Sequence, residues 1–202
     1  MQRVSQLQKT QVNKIEDAYA YDADECISPS MRESLGMAWH LDVGRSWRKL
    51  EARERQILLE MTWSNMAQYY GSRWTEEKSV KRRDMANKDA RYLIVREKES
   101  DSIAGFCNYR FVVEDQWVVL YVYELQICEA HQRKGLGRVL LNLAESIAKR
   151  TKMDGVMLTA LKCNHKALHF YEKNKYVKSS IDPTVMGFEW VDYSILCKLF
   201  SL

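Results

Sequence analysis

Several classes of protein are excluded by what this chain lacks. It has no run of about 18 apolar residues, so no membrane-spanning helix is expected. Only two prolines occur, Pro29 and Pro183, and no low-complexity linker or internal repeat is present. The five cysteines (Cys26, Cys107, Cys128, Cys163, Cys197) are scattered, odd in number and form no C-x-x-C pair. They read as reduced thiols of an intracellular protein, not as a disulfide frame or a zinc site. The first residues are polar and residue 2 is Gln, so neither a secretory leader nor a myristoyl anchor is expected. No G-x-x-x-x-G-K-[ST] loop exists, and Leu140 stands where a G-x-G-x-x-G fingerprint needs its third glycine. A net charge of +4 is too mild to argue for nucleic acid, and no direct nucleic-acid binding is expected.

What is present is globular. With 46% hydrophobic and 29% charged residues over 202 positions, the chain is long enough for one domain with a real core. Its organising stretch runs from Glu124 to Arg138. Val118 to Ile127 is dense in β-branched and aromatic residues and reads as a buried strand. Leu136, Leu140, Leu143, Ala144, Ile147 and Ala148 then recur at helical spacing. Between them lies Gln132-Arg133-Lys134-Gly135-Leu136-Gly137, a basic turn with two glycines. Glycines allow close backbone approach, and a helix start presents free N–H groups with partial positive charge. Strand, turn and helix N-terminus together suit a pyrophosphate.

The remaining elements follow in order. Residues 1–20 carry sparse apolar positions (Val4, Leu7, Val12, Ile15, Ala18) and fit either one weakly amphipathic helix or a disordered arm. Residues 21–44 read as irregular, broken by Pro29, Gly36 and Gly44. A long helix is expected from about Ser46, as its cap, to Tyr70, and a shorter charged one from Trp74 to about Met85, capped by Thr75. Strands are expected at Tyr92–Val95, Ile103–Val113, Trp117–Cys128, Val156–Thr159, Tyr176–Val177 and Phe188–Leu199. Asn164 opens a helix holding Ala167, Phe170 and Tyr171. The domain is expected to occupy 45–202, with 1–44 as an extension packed on it.

Two motifs carry a resemblance. Gln132 to Gly137 matches Gln/Arg-x-x-Gly-x-Gly/Ala, and Asn164 to Tyr171 matches N-x-x-A-x-x-x-Y about 27 residues later. Together they resemble the GNAT superfamily of N-acetyltransferases. Leu120-Tyr121-Val122-Tyr123-Glu124-Leu125-Gln126, with Asn65-Met66 to Tyr70, Trp74, Arg91 to Ile94, Met157 to Thr159 and Tyr193 to Leu196, resembles the NatD-type enzymes within it. The likeness runs from about residue 55 to 197.

The resemblance implies an α+β (α/β) fold with a mixed central sheet flanked by helices and an N-terminal helical extension. It implies acetyl-CoA as co-substrate, held by Leu125, Gln126, Ile127, Gln132, Arg133, Lys134, Gly135, Leu136, Gly137, Arg138, Asn164 and Tyr171, with no metal. It implies transfer to the N-terminal Ser of histone H4 and histone 2A (Ser-Gly-Arg-Gly). Glu124 would be the general base, acting through water, and Tyr171 would lie near the thioester sulfur as a proton donor. Tyr70, Trp74, Tyr121, Tyr123 and Tyr193 would line the peptide site. Glu114 would meet the basic residues after Ser-Gly. Val112 departs from the pattern, which has an acid there; Asp115 is the nearest substitute. Lys175-Tyr176 replaces the family's Gly-Phe.

The residues alone permit this chemistry. An α-amine has a pKa of about 8, so part of it is neutral at physiological pH and the base has one proton to remove. A carboxylate set among Tyr121, Tyr123 and Tyr193 would be partly desolvated, which raises its pKa; the alternative is a strand Glu facing solvent or paired with an arginine. His165 and His169 are four apart, but H-E-x-x-H is absent, so a surface or packing role is expected. Cys128 reads as a core thiol, and Lys81-Arg82-Arg83 as a solvated helix face, with ribosome contact a minor alternative. Another protein N-terminus, a lysine side chain or a small amine remains open as acceptor, and so does a CoA-binding module without transfer. A monomer in cytoplasm and nucleus is expected.

Overall fold

The computed structural model describes residues 2–33 and 35–200, with side chains from residue 8 onward. Six α-helices and seven strands occur among them, besides four short 3-10 turns: α1 (Gln2–Ala20), α2 (Pro29–Glu33), β1 (Trp39–Ser46), α3 (Ala52–Tyr70), α4 (Trp74–Met85), β2 (Arg91–Glu97), β3 (Ile103–Glu114), β4 (Trp117–Ile127), α5 (Leu136–Arg150), β5 (Gly155–Leu161), α6 (His165–Lys173), β6 (Val177–Lys178) and β7 (Tyr193–Leu199). The strands form one sheet in the order β1-β2-β3-β4-β5-β7-β6. By its contacts the chain divides into two compact units. One holds the residues up to Cys26, Phe111–Tyr121 and those from Glu145 on; the other holds Ile27–Arg110 and Val122–Ala144. Residue 44, where the extension was expected to end, lies inside β1.

In the second unit, β1, β2 and β3 are antiparallel. Helices α3 and α4 bury Leu58, Leu59, Met61 and Met85 against Tyr92, Ile94 and Phe106 of the strands. β1 was expected to be irregular. Its charges and Gly44 break the apolar alternation, and its register shifts between Asp42 and Arg45. Polar pairing holds it instead: Arg96 Nε donates to Asp42 at 2.9 Å, Arg45 donates to Glu54 at 2.8 Å, and Arg96 also pairs with Glu54. This corrects the start of α3. Ser46 is bound into β1 opposite Arg91, and Glu51 precedes the helix, its N–H donating to Glu54 Oε2 at 2.6 Å. A carboxylate at the third helical position satisfies an amide hydrogen that has no carbonyl of its own.

In the first unit, α1 is a helix that docks through its second half. Ala18 is buried, Tyr19 meets Phe111 edge to face at 5.0 Å, and Lys14 pairs with Asp154 at 2.7 Å. The Val4 and Leu7 side chains lie outside the described residues. Asp154 N donates to Val118 O at 2.8 Å, and the hydroxyls of Tyr121 and Thr159 are 2.5 Å apart. Both contacts advance in the same direction along β4 and β5, so these neighbours are parallel. β5 and β7 are antiparallel, and the sheet is therefore mixed. The last strand starts at Tyr193 and not at Phe188. Asp182 accepts from Ile195 N–H at 2.7 Å, Phe188 N–H donates to Pro183 O at 2.7 Å, and the loop leaves Phe188 and Trp190 exposed. Every apolar position expected on α5 is buried.

Candidate active site

Glu124 is the acidic residue of the strand that precedes the glycine turn, and its side chain is only 7% exposed. A carboxylate buried this deeply needs partners. Lys81 Nζ donates to its Oε1 at 2.7 Å, and Gln126 Nε2 donates to its Oε2 at 2.7 Å. Asn65 Nδ2 then holds Gln126 from behind, donating to its Oε1 and to Ile127 O, both at 3.0 Å. Two helices thus fix the end of β4: α3 through Asn65 and α4 through Lys81.

Lys81 is a correction to the sequence reading. Arg82 and Arg83 are exposed as expected, but Lys81 is only 14% exposed and faces Glu124. The signal was present in the spacing. Trp74, Lys78, Lys81 and Met85 recur at steps of four, three and four, one stripe of α4, and Met85 is fully buried. Lys78 lies on the same stripe, 3.8 Å over the Trp63 ring. Burial works against the charge of Lys81, but Glu124 and then Tyr70 outweigh it and push the pKa above the ordinary lysine value.

Tyr70 stacks on Trp74 with centroids 5.9 Å apart, and its ring lies 5.6 Å from Lys81 Nζ. Burial first, with Glu124 and Glu77, raises its phenol pKa, so it is neutral at physiological pH. Tyr92, under the same pair of helices, donates to Met85 O at 2.5 Å and is raised by burial and by Glu124. Arg110 lies 3.9 Å over the ring of Tyr123. Glu124 therefore has a lysine, a glutamine and Tyr70 about it, where the sequence offered Tyr121, Tyr123 and Tyr193 or else solvent or an arginine.

The turn after β4 belongs to the same unit. Gln132 Nε2 donates back to Ile127 O at 3.2 Å. Arg133 and Gly135 both take positive φ (63° and 88°), Leu136 is buried, and Arg133, Lys134 and Arg138 are exposed. A Cβ on Gly135 would meet nothing within 4 Å, so the space over the turn is open. Alternating left-handed residues turn successive N–H groups inward, and α5 begins directly behind them. The arrangement suits a phosphorylated ligand. At the strand end the backbones are close: a Cβ on Gly105 would lie 2.8 Å from Gln126 O.

The other expected residues belong to the first unit. Asn164 caps α6, its Oδ1 accepting from Ala167 N–H at 3.1 Å. Tyr171 is buried, its ring 5.2 Å from Phe170 and 5.8 Å from Tyr176. Tyr193 pairs with Leu161, and Thr159, the partner of Tyr121, pairs with Ile195, so both tyrosines reach the same end of β5. Glu114 ends β3 partly buried, and burial alone raises its pKa; among the described residues no cation pairs with it. No group of three or more His, Cys, Asp or Glu that could hold a metal ion occurs among the described residues.

Strand, glycine turn and helix follow one another directly, with a buried carboxylate near the strand end. Residues 58–176 match the Acetyltransferase (GNAT) family, and the chain belongs to that family. Solved structures agree in fold. PaiA N-acetyltransferase from Thermoplasma acidophilum, in complex with coenzyme A, is 19% identical with a TM-score of 0.56, over 81% of this chain and 100% of its own. Ard1 from Thermoplasma volcanium is 14% identical with a TM-score of 0.56, over 82% and 100%. Spermidine/spermine N-acetyltransferase SpeG from Vibrio cholerae is 17% identical with a TM-score of 0.51, over 80% and 92%.

Proposed function

We propose that this protein is an N-terminal α-acetyltransferase of the NatD type, which acetylates the free N-terminal Ser of histone H4 and histone 2A. The observation that carries the reading is Glu124: a buried carboxylate, fixed on both oxygens, at the end of the strand that leads into the glycine turn. Acetyl-CoA supplies an acetyl thioester. Its phosphates fit Arg133, Lys134, Arg138 and the N–H groups around Gly135 and Gly137, and its pantetheine arm is assigned to Asn164 and the backbone of Leu125 to Ile127. Glu124 takes up, through water, the proton that the acceptor amine sheds as its nitrogen is acylated. Tyr171 is assigned as proton donor to the departing sulfur.

The acceptor class rests on the aromatic residues and on Glu114. The resemblance assigns Tyr70, Trp74, Tyr121, Tyr123 and Tyr193 to a small chain end, and a partly buried carboxylate with no paired cation among the described residues suits an incoming arginine. This reading puts the enzyme in cytoplasm and nucleus, as a monomer, where histone N-termini are made and used.

The test is acetyl transfer from acetyl-CoA to Ser-Gly-Arg-Gly-Lys, beside the same peptide with its α-amine blocked. Transfer to the free peptide only is expected. Transfer to both moves the acceptor to the lysine side chain. Transfer to neither, with acetyl-CoA bound, points to a small amine or to a module that only binds. Glu124→Gln is expected to keep acetyl-CoA binding and lose transfer by about 10²-fold or more.

A further inference from the structure

Lys81 fixes a positive charge 2.7 Å from the carboxylate assigned as proton acceptor. The groups that bear on that carboxylate, directly or through a neighbouring phenol, come from five elements of the same unit. Helix α3 brings Tyr70, α4 brings Lys81 and Glu77, β2 brings Tyr92, β3 brings Arg110, and β4 itself brings Gln126. The two phenols are neutral, and Glu77 acts on Tyr70. Glu124 is therefore already balanced by Lys81, with Arg110 as a second cation acting on the same buried Tyr92. Lys81 would offset much of the attraction that Glu124 exerts on an entering ammonium, which would also lose its hydration, in a setting where water screens neither charge well. A neutral amine meets no such penalty.

We propose that Lys81 makes the site take the acceptor as its free amine and exclude the ammonium form. The inference rests on the amine-acetylating reading above. It gives Glu124 a lighter task. No ammonium has to be deprotonated in the complex; only the single proton released when the neutral nitrogen is acylated has to be accepted. Lys81 acts through Glu124 and is a positioning residue. The amine pays for entry in solution, where its proton is lost before it binds.

Proton counting tests this. An α-amine with a pKa of about 8 is roughly nine-tenths protonated at pH 7, so binding as free amine releases about 0.9 proton. Ser-Gly-Arg-Gly-Lys is titrated calorimetrically into enzyme saturated with CoA, at pH 7, in buffers of different ionisation enthalpy. The wild type and Lys81→Arg are expected to release about 0.9 proton per peptide; Lys81→Met and Lys81→Gln are expected to release much less, because an unpaired Glu124 accepts the ammonium. Kinetics give an independent reading. Below pH 8 the wild-type KM for total acceptor is expected to rise about tenfold per pH unit while kcat stays level. In Lys81→Met the limb moves into kcat. A structural role alone would change neither the proton count nor the division between KM and kcat. Binding by the wild type without proton release overturns the inference, and so does equal release by wild type, Lys81→Met and Lys81→Gln; should both neutral variants fail to fold, the wild-type count still decides against it when it is zero. An enzyme that transfers acetyl but binds the peptide without releasing a proton overturns this inference alone. A CoA-bound wild type that acetylates no amine overturns the functional reading as well.

Discussion

The amide of Asn65 donates at 3.0 Å to both the side chain of Gln126 and the carbonyl of Ile127. Gln126 in turn holds Glu124 Oε2 at 2.7 Å. A residue of α3 thereby sets the rotamer of the glutamine that orients the proposed base, without touching the base itself.

Asn65→Ala is therefore expected to lower kcat by about tenfold with little change in KM for acetyl-CoA, because small misplacements of a reacting group cost rate steeply. Steady-state kinetics on the wild type and the variant check this. An unchanged kcat would mean that Gln126 keeps its place without α3.

Gly105 has no room for a side chain. A Cβ there would lie 2.5 Å from Ile127 Cδ1 and 2.8 Å from Gln126 O, and the second neighbour is backbone that cannot swing aside. Gly105→Ala is expected to destabilise the fold by about 1–3 kcal/mol and to disturb the end of β4. A lower Tm together with weaker acetyl-CoA binding is the expected pair of readings.

Glu54 carries a pH dependence of stability. Burial would raise its carboxyl pKa, but the Glu51 N–H, Arg45 and Arg96 outweigh it and hold the group below its ordinary value of 4.5. A carboxylate lowered by folding stabilises the fold above its unfolded pKa. That contribution is lost as pH falls below 4.5 and through the folded value. Chemical denaturation between pH 3 and 6 (a range set by the ordinary carboxylate pKa of about 4.3) should show stability falling with acid. Glu54→Gln should be less stable near neutrality and should flatten this dependence.

Glu114 titrates the other way. Its pKa is raised by burial, so it loses charge at a higher pH than an ordinary glutamate. KM for a peptide with arginine at its third position is expected to rise as pH falls through that raised value. Glu114→Gln is expected to raise KM for this peptide about tenfold, on the scale of one lost charged hydrogen bond. A peptide with alanine at the third position should not respond to the substitution.

The thiols differ sharply. Burial pushes Cys26 up to about 11 and Cys107 higher still, whereas Cys163 is exposed. Alkylation of the folded protein near pH 8 (just below the ordinary thiol pKa of about 8.5) should label Cys163 first. Cys26 and Cys107 should react only after unfolding, which peptide mapping by mass spectrometry would follow.

Much of this molecule is written locally. The period of Leu136 to Ala148, the β-branched run of β4 and the glycines at 135 and 137 are each settled by neighbours within one turn or one pleat, so strand, turn and helix could be read directly. Asn164 at the head of α6 is equally local, since a cap bonds three residues onward. β1 could not be read this way. Its apolar positions do not alternate, and what holds it is Asp42 meeting Arg96, 54 residues away. The start of α3 was misplaced for the same reason: Ser46 is a good cap by type, but pairing with Arg91 draws it into a strand.

The candidate site divides along the same line. The sequence by itself determined the family, the carboxylate at position 124 and the glycine turn, because a short motif brings its chemistry with it. Only the tertiary structure decided the state of that carboxylate. Lys81 is 43 residues from Glu124 in the chain, and it was the packing of α4, with Met85 driven into the core, that turned a lysine from a seemingly solvated face onto the proposed base. Buried charge must find a counter-charge, and which one it finds depends on which helix face the core buries.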